Sequence, residues 1–277
     1  MIDGTLVAPS EARVSVYDRG FLFGDGVFEV LRTYGGAPFA LDEHLTRLRR
    51  SAERVVMALP VNDATLREEI HRALAESNND ESYVRIVVTR GSGPLSLDPD
   101  AAEVPLRVIL VEPVVSPSRD AYANGIAAVT VRTRRVVDDT AAAGAKVTNY
   151  LANLLALREA KLQGGQEALV VDARGHVVEG ASSNVFAVTR GRLATPPDTA
   201  GILVGITRFH VLAAAGDLGI QVDECDLDPP VLYGADEVFI TSSIRELLPV
   251  VRIDGRTIGS GIPGQVCRAL HRRFRAT

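Results

Sequence analysis

Residues 27–59 read VFEVLRTYGGAPFALDEHLTRLRRSAERVVMAL, and their pattern sets the fold class. Residues 27–34 are rich in β-branched and aromatic side chains and follow the Gly24-Asp25-Gly26 turn, which predicts a strand. Leu41, Leu45, Leu48, Ala52, Val55 and Leu59 then recur at steps of three and four. That spacing predicts a helix, with Asp42 as its N-cap and Pro60 as its stop. A strand passing directly into a helix excludes an all-α or all-β chain.

The same alternation continues outward. A second helix fits 63–77, and strands fit 83–89 and 106–111, while the residues before 27 read as short strands and turns. The stretch 112–123, EPVVSPSRDAYA, carries two prolines and little periodicity, which marks a boundary. Beyond it come a strand at 126–132 and a helix at 149–162 that stops at Gly164-Gly165. Segments 168–172 and 176–179 form a hairpin across Ala173-Arg174-Gly175. A strand at 184–189, a helix from Gly205 to about 218, a strand at 237–241 and a helix at 264–275 complete the reading. The expected class is α/β (α+β) in two domains: a small one at 1–115, a linker at 116–123 and a large one at 124–277.

Bulk properties narrow the function. A 277-residue chain with 46% hydrophobic residues can bury a core in each of two domains. A net charge of -5 gives no reason to expect nucleic acid or an anionic membrane as partner. An anionic ligand must be captured by local features. Cys225 and Cys267 form neither a disulfide framework nor a CxxC pair, which suits a reducing cytoplasm. The N-terminus lacks a basic start followed by an apolar run, so no signal peptide is expected. No apolar run approaches the ~20 residues of a membrane span. The five histidines show no ligand spacing, so no metal is expected.

Five features carry chemistry. Lys146 is the only formal charge between Thr140 and Leu157. It is either a solvent-facing loop residue, the commoner case, or a buried amine whose desolvation would make it a nucleophile toward carbonyls. Glu179 is the only formal charge between Gly175 and Thr189. It is either an edge-strand carboxylate in water or a buried partner for a cation. Gly205-Ile206-Thr207-Arg208 opens a helix, which is an ordinary cap or an anion site. Thr241-Ser242-Ser243 puts three hydroxyls after an apolar strand, to hold phosphate or start a turn. Arg47 lies one residue from the apolar stripe of its helix and could reach inward, whereas Arg49 and Arg50 read as solvated. Together these are the parts pyridoxal phosphate needs: an amine, a carboxylate for the ring nitrogen and a phosphate cup.

With those residues in view, the chain resembles the class IV aminotransferases, the fold-type IV pyridoxal-phosphate enzymes. The resemblance rests on DRGFLFGDGVFEVLR (18–32), HLTRLRRSA (44–52), AKVTNYLANLLA (145–156), VVEGASSNVF (177–186), GILVGITR (201–208) and TSSIRELLPV (241–250). These segments occur in family order and span nearly the whole chain. The resemblance implies that Lys146 is the Schiff-base lysine and that Glu179 pairs with the pyridine nitrogen. It implies that Arg47, Ile206 (through its backbone N–H), Thr207 and Ser243 bind the phosphate. Leu203 would pack on the ring, Tyr150 would reach the phenolic oxygen, and Ser182, Ser183 and Asn184 would line the cofactor's edge. A homodimer follows, with loop 89–105 closing over the partner's site.

The substrate is less legible. Phe28 falls where related D-amino-acid enzymes carry a carboxylate-binding tyrosine, and loop 89–105 (TRGSGPLSLDPDAAEVP) lacks their Arg-x-His pair. Arg32 and Arg90 remain as candidate carboxylate ligands, or as structural residues. KVTNY lacks the paired glycines of branched-chain enzymes and is closer to the spacing of D-amino-acid enzymes and lyases. That ordering puts a D-amino-acid transaminase first, a branched-chain L-amino-acid transaminase second and an aminodeoxychorismate lyase third. A non-catalytic binding protein on the same scaffold is the reading from a different class.

Overall fold

Two units divide the chain: Met1–Val115 with Thr140–Tyr150, and Ser116–Asp139 with Leu151–Thr277. The computed structural model describes residues 1–133, 140 and 142–276. Residues 134–139, 141 and 277, which fall in the expected 124–277 domain, lie outside the described residues.

The first unit runs α1 (Arg19–Phe23), β1 (Gly26–Tyr34), β2 (Ala37–Pro38), α2 (Leu41–Arg54), α3 (Asp63–Ser77), β3 (Ser82–Ser92) and β4 (Val104–Pro113). Its strands pair antiparallel in the order β2-β1-β3-β4. Side chains alternate across a strand, so Val27, Glu29 and Leu31 share one face of β1 and Phe28, Val30 and Arg32 the other. The first face meets the helices. Val27, Leu31, Val84, Ile86 and Val88 cluster there with Leu45 and Leu48 of α2 and Ile70 of α3. Each such side chain contributes about 1.5–3 kcal/mol by leaving water. Glu29 is the exception on that face, a carboxylate inside the apolar layer.

The segment Thr140–Tyr150 joins this unit, although the sequence reading placed everything after 124 in the second domain. The reason is backbone pairing. The Phe28 N–H donates to the Lys146 carbonyl at 2.9 Å, and the Thr148 N–H donates to the Gly26 carbonyl at 2.9 Å. The segment therefore lies along β1 through a bridge between Val27 and Val147.

The second unit runs α4 (Arg119–Asn124), β5 (Ile126–Arg132), α5 (Leu151–Leu162), β6 (Glu167–Val171), β7 (Val177–Gly180), β8 (Asn184–Thr189), β9 (Arg192–Thr195), α6 (Ile206–Asp217), β10 (Val222–Glu224), α7 (Pro229–Tyr233), β11 (Glu237–Ser242), β12 (Glu246–Ile253), β13 (Arg256–Thr257) and α8 (Gln265–Arg275). Among the described residues its strands form one mixed sheet, β10-β9-β8-β11-β12-β5-β6-β7, with β13 beside β12. Strands β6 and β7 are buried at every position, the signature of a sheet covered on both faces. Ala156 and Ala160 of α5 pack on Val129, Val131 and Ala168, while Phe186 and Phe239 stack at 5.0 Å between neighbouring strands.

Three local expectations change. The supposed linker contains α4, capped by the Ser118 hydroxyl, which accepts from the Ala121 N–H at 3.1 Å. Helix α2 starts after Ala40, whose φ of 52° turns the chain without a side-chain cap. Asp42 lies inside its first turn, where a carboxylate complements the helix dipole. Helix α5 begins at Leu151, so Asn149 and Tyr150 stay with the lysine segment.

Candidate active site

Lys146 is held by its backbone. Besides the pairing with β1, its N–H donates to the Ser51 hydroxyl of α2 at 3.1 Å. The side chain lies on aromatic rings, with Nζ 4.6 Å from the Phe28 centroid and 5.9 Å from the Tyr150 centroid. Those two rings meet edge to face at 5.1 Å. Strand alternation explains the placement, because Phe28 is on the face of β1 opposite the helices. The amine therefore has an apolar flank and a fixed backbone, the setting a lysine nucleophile needs.

On the helix face of β1 a second cluster forms. Arg47 donates from Nε to Glu29 Oε1 and from Nη2 to Oε2, both at 2.7 Å. The His44 Nδ1–H donates to Glu29 Oε2 at 2.7 Å. Burial alone would raise the Glu29 carboxyl, but the Arg47 guanidinium and the His44 hydrogen bond outweigh it and hold it far below the usual range. Burial likewise lowers the His44 imidazole against the pull of Glu29, so it is neutral at pH 7. Arg47 reaches inward, as its helix position suggested, and its side chain stays 12% exposed.

In the second unit Glu179 is the next-to-last residue of β7 and is 9% exposed. Its Oε2 accepts the Leu203 N–H at 3.0 Å, and the Asn184 amide donates to the Leu203 carbonyl at 2.9 Å. These two side chains bracket the backbone of Leu203 from both ends of the peptide. Gly205, the N-cap of α6, contributes no side-chain hydrogen bond to the first-turn N–H groups of Ile206 and Thr207. A Cβ at Gly205 would lie 2.0 Å from Asn184 Oδ1, so only glycine lets the asparagine approach. Thr207 is buried.

The hydroxyl cluster divides its labour. Thr241 is 1% exposed, and its Oγ1 has no partner among the described residues. The Ser242 hydroxyl accepts from the Arg245 backbone N–H at 3.3 Å and from its Nε at 3.1 Å. Ser243 is half-buried in the turn after β11. Ser182 and Ser183, read from sequence as lining a cofactor edge, use their hydroxyls inside the protein. Ser182 Oγ accepts from Arg245 Nη2 at 2.8 Å, and the Ser183 hydroxyl donates to Glu167 Oε2 at 3.0 Å.

The two candidate carboxylate ligands sit in structural networks. Arg90 donates to Asp25 at 2.9 Å and to the carbonyls of Val55 and Val56 at 2.9 and 2.8 Å. It thereby secures the end of α2, where the β-branched Val56 adopts a φ of 51°. Arg32 donates from Nε to the Thr33 carbonyl at 3.2 Å and stacks 4.4 Å from the Tyr34 centroid. Four residues of strand, about 13 Å, separate it from Phe28. The structure instead brings Arg85 to the lysine's ring, with its guanidinium carbon 4.1 Å from the Phe28 centroid. No carboxylate pairs with Arg85 among the described residues. Sequence reasoning passed it over, although it is the lone charge in the strand YVRIVVT (83–89), the same kind of signal that singled out Lys146.

These residues fit pyridoxal phosphate. Among the described residues no side chain caps the start of α6 and none partners the Thr241 hydroxyl, and both suit an anion. Lys146 and the nearly buried Glu179 suit an aldehyde and a pyridinium nitrogen. Among the described residues no group of His, Cys, Asp and Glu could hold a metal ion, and no helix is long and apolar enough to cross a membrane.

Comparison with known proteins agrees. Residues 26–253 match the family described as Amino-transferase class IV. A Methanocaldococcus jannaschii protein that carries the provisional name branched-chain-amino-acid aminotransferase is 39% identical over 99% of this chain and 94% of its own. The D-alanine aminotransferase of Bacillus licheniformis is 35% identical over 97% of this chain and 93% of its own. Among solved structures, the T.th. branched-chain amino acid aminotransferase, complexed with N-(5'-phosphopyridoxyl)-L-glutamate, superposes with a TM-score of 0.92. It is 31% identical and covers 99% of this chain and 91% of its own.

Proposed function

The chain belongs to the class IV aminotransferases, and from that membership we propose that it transfers amino groups from branched-chain L-amino acids, with Lys146 holding the cofactor. It is a pyridoxal-phosphate-dependent aminotransferase with a two-domain α+β fold, acting on small amino and keto acids. The proposal reverses the order read from KVTNY, which put a D-amino acid first. Relatives of both kinds align along nearly the whole chain, and the branched-chain ones include the more identical of the two sequences compared.

The observation that carries the reading is the apolar flank of Lys146. Phe28 and Tyr150 offer ring surface beside the amine, which suits an aliphatic side chain better than a polar one. Arg85, over the same Phe28 ring, supplies the cation for a substrate carboxylate. This replaces Arg32 and Arg90 in that role.

Bound pyridoxal phosphate supplies an aldehyde carbon and a ring that withdraws electrons. The rest is the work of this chain's residues. Lys146 would hold the aldehyde through Nζ, and its free amine would serve as the base and acid that moves the substrate α-proton. The Glu179 carboxylate would keep the ring nitrogen protonated. By the family resemblance Arg47, the Ile206 N–H, Thr207 and Ser243 would hold the phosphate, and the Thr241 hydroxyl would be a further donor. Leu203 would pack on the ring and Tyr150 would reach the phenolic oxygen, with Asn184 aligning Leu203 through its carbonyl. The active form is a homodimer in which loop 89–105 closes over the partner's site. Cys225 and Cys267 are free, which suits a reducing cytoplasm.

A keto-acid assay pairing L-leucine, L-isoleucine and L-valine against D-alanine and D-glutamate, with 2-oxoglutarate or pyruvate as acceptor, tests the proposal. Higher kcat/KM for the L-branched set is expected, and preference for the D-amino acids contradicts it. Arg85→Ala should raise KM for 2-oxoglutarate about tenfold, the worth of one charge-assisted contact. An unchanged KM would remove Arg85 from the substrate site.

A further inference from the structure

Glu167 and Arg245 have no part in the chemistry described above, yet their hydrogen bonds join two turns of the second unit's candidate site. Glu167 opens β6 with its carboxylate 1% exposed. Oε1 accepts the N–H groups of Ala168 at 2.9 Å and Ala181 at 3.2 Å. Oε2 accepts the Ser183 hydroxyl at 3.0 Å and Arg245 Nη1 at 2.6 Å. Every oxygen of a buried carboxylate is thus satisfied, as it must be for the charge to be tolerated inside.

Arg245 extends the connection to a second turn. Its Nη2 donates to the Ser182 carbonyl at 2.9 Å and to the Ser182 hydroxyl, while its Nε donates to the Ser242 hydroxyl. One planar guanidinium therefore grips the turn at 181–183, just after Glu179, and the turn at 243–245, which carries Ser243. The next residue, Glu246, is fully buried at a φ of 53°, a conformation that side chains other than glycine rarely adopt. It accepts from His271 Nε2 at 2.6 Å and from Arg275 Nε at 2.7 Å, both on α8. Tyr122 of α4 adds a hydroxyl that donates to the Arg245 carbonyl at 3.0 Å. Gly180 completes the fit, because a Cβ there would lie 2.0 Å from the Ser183 hydroxyl. The two turns are locked to each other and to the body of the unit.

We propose that Arg245 and Glu167 are a positioning pair, which sets the Ser243 turn against the turn following Glu179 so that the phosphate meets preformed donors. The proposal rests on the reading that Ser243 binds the cofactor phosphate. Residues that orient a ligand's direct contacts are worth about ten- to a hundredfold in affinity at metal sites, and a comparable effect is the expectation for this phosphate cup.

The experiment titrates apoprotein with pyridoxal phosphate and, separately, with pyridoxal, which has the same ring and aldehyde but no phosphate. Arg245→Ala should weaken pyridoxal phosphate about tenfold or more and leave pyridoxal nearly unchanged, and Arg245→Lys should recover part of the loss. If Arg245→Ala fails to fold because Glu167 is left unpaired, the double variant Arg245→Ala with Glu167→Gln carries no buried charge and should show the same phosphate-specific loss. An equal loss for both ligands means a general disturbance of the unit and overturns the proposal. So does unchanged affinity for pyridoxal phosphate. Ser243→Ala separates the underlying reading: if it leaves pyridoxal phosphate affinity intact, the phosphate lies elsewhere and the proposal falls with that reading. If only Arg245→Ala is silent, the phosphate site stands and the positioning pair alone is rejected.

Discussion

Each unit buries a carboxylate under an arginine, Glu29 under Arg47 and Glu167 under Arg245, and the two pairs are used differently. In the first, Glu29 engages Arg47 through two parallel hydrogen bonds and His44 through a third, all between a strand and the helix packed on it. In the second, Glu167 and Arg245 bind turns, reaching backbone N–H groups, a carbonyl and three serine hydroxyls. The first arrangement concentrates charge beneath the strand that aligns Lys146. The second ties the turn at 181–183 to the turn that carries Ser243. A nucleophile needs a rigid backbone and a tuned field, whereas a phosphate cup needs many donors set at fixed spacing.

Removing the amine breaks the comparison most completely. Lys146→Ala should lower transamination by at least about 10⁴-fold, since both covalent and acid–base roles vanish. Circular dichroism should be unchanged, because the segment is held through its backbone. Retained turnover would contradict the assignment. Glu179→Ala comes next, with a loss in kcat of roughly 10²–10³-fold, comparable to deleting one preorganised electrostatic partner. A near-normal kcat would free Glu179 from the ring nitrogen.

Arg47→Ala sharpens the contrast between the units through stability. It leaves Glu29 buried and uncompensated, so denaturant unfolding should report a loss of about 3–5 kcal/mol. Adding Glu29→Gln should recover much of that loss. If the single variant unfolds like the parent, Glu29 is not the charged centre described.

The smallest effect is in pH. The Glu29 carboxyl is depressed, so its stabilising contribution is present above the ordinary value of 4.5 and is lost as pH falls toward its folded value. The His44 imidazole is depressed below 6.5, so the unfolded chain takes up that proton first and stability declines as pH falls below about 6.5. Thermal melts between pH 7 and pH 4 should show a steadily falling Tm, and His44→Gln should flatten the upper part of the curve. A flat parent profile would contradict the buried histidine.

Much of this was legible in the sequence. The three-and-four spacing of apolar residues located α2, and a β-branched and aromatic run after a turn located β1. Charge isolation singled out Lys146 and Glu179, since a lone charge in an apolar run needs a reason to be there. What escaped was non-local. The return of Thr140–Tyr150 to the first unit depends on pairing with β1 more than a hundred residues earlier, which no periodicity records. No local pattern in the sequence marks Arg245 or Glu167, and only the packed turns reveal that they meet. The serine pair at 182–183 was read as facing a ligand, but a hydroxyl's partner depends on what the fold brings near it.

Borohydride reduction of the holoenzyme followed by peptide mapping tests the central claim most directly. The account predicts a pyridoxyl group on the peptide containing Lys146 and on no other lysine. Label on a different lysine, or none on a preparation that has bound the cofactor, would contradict it.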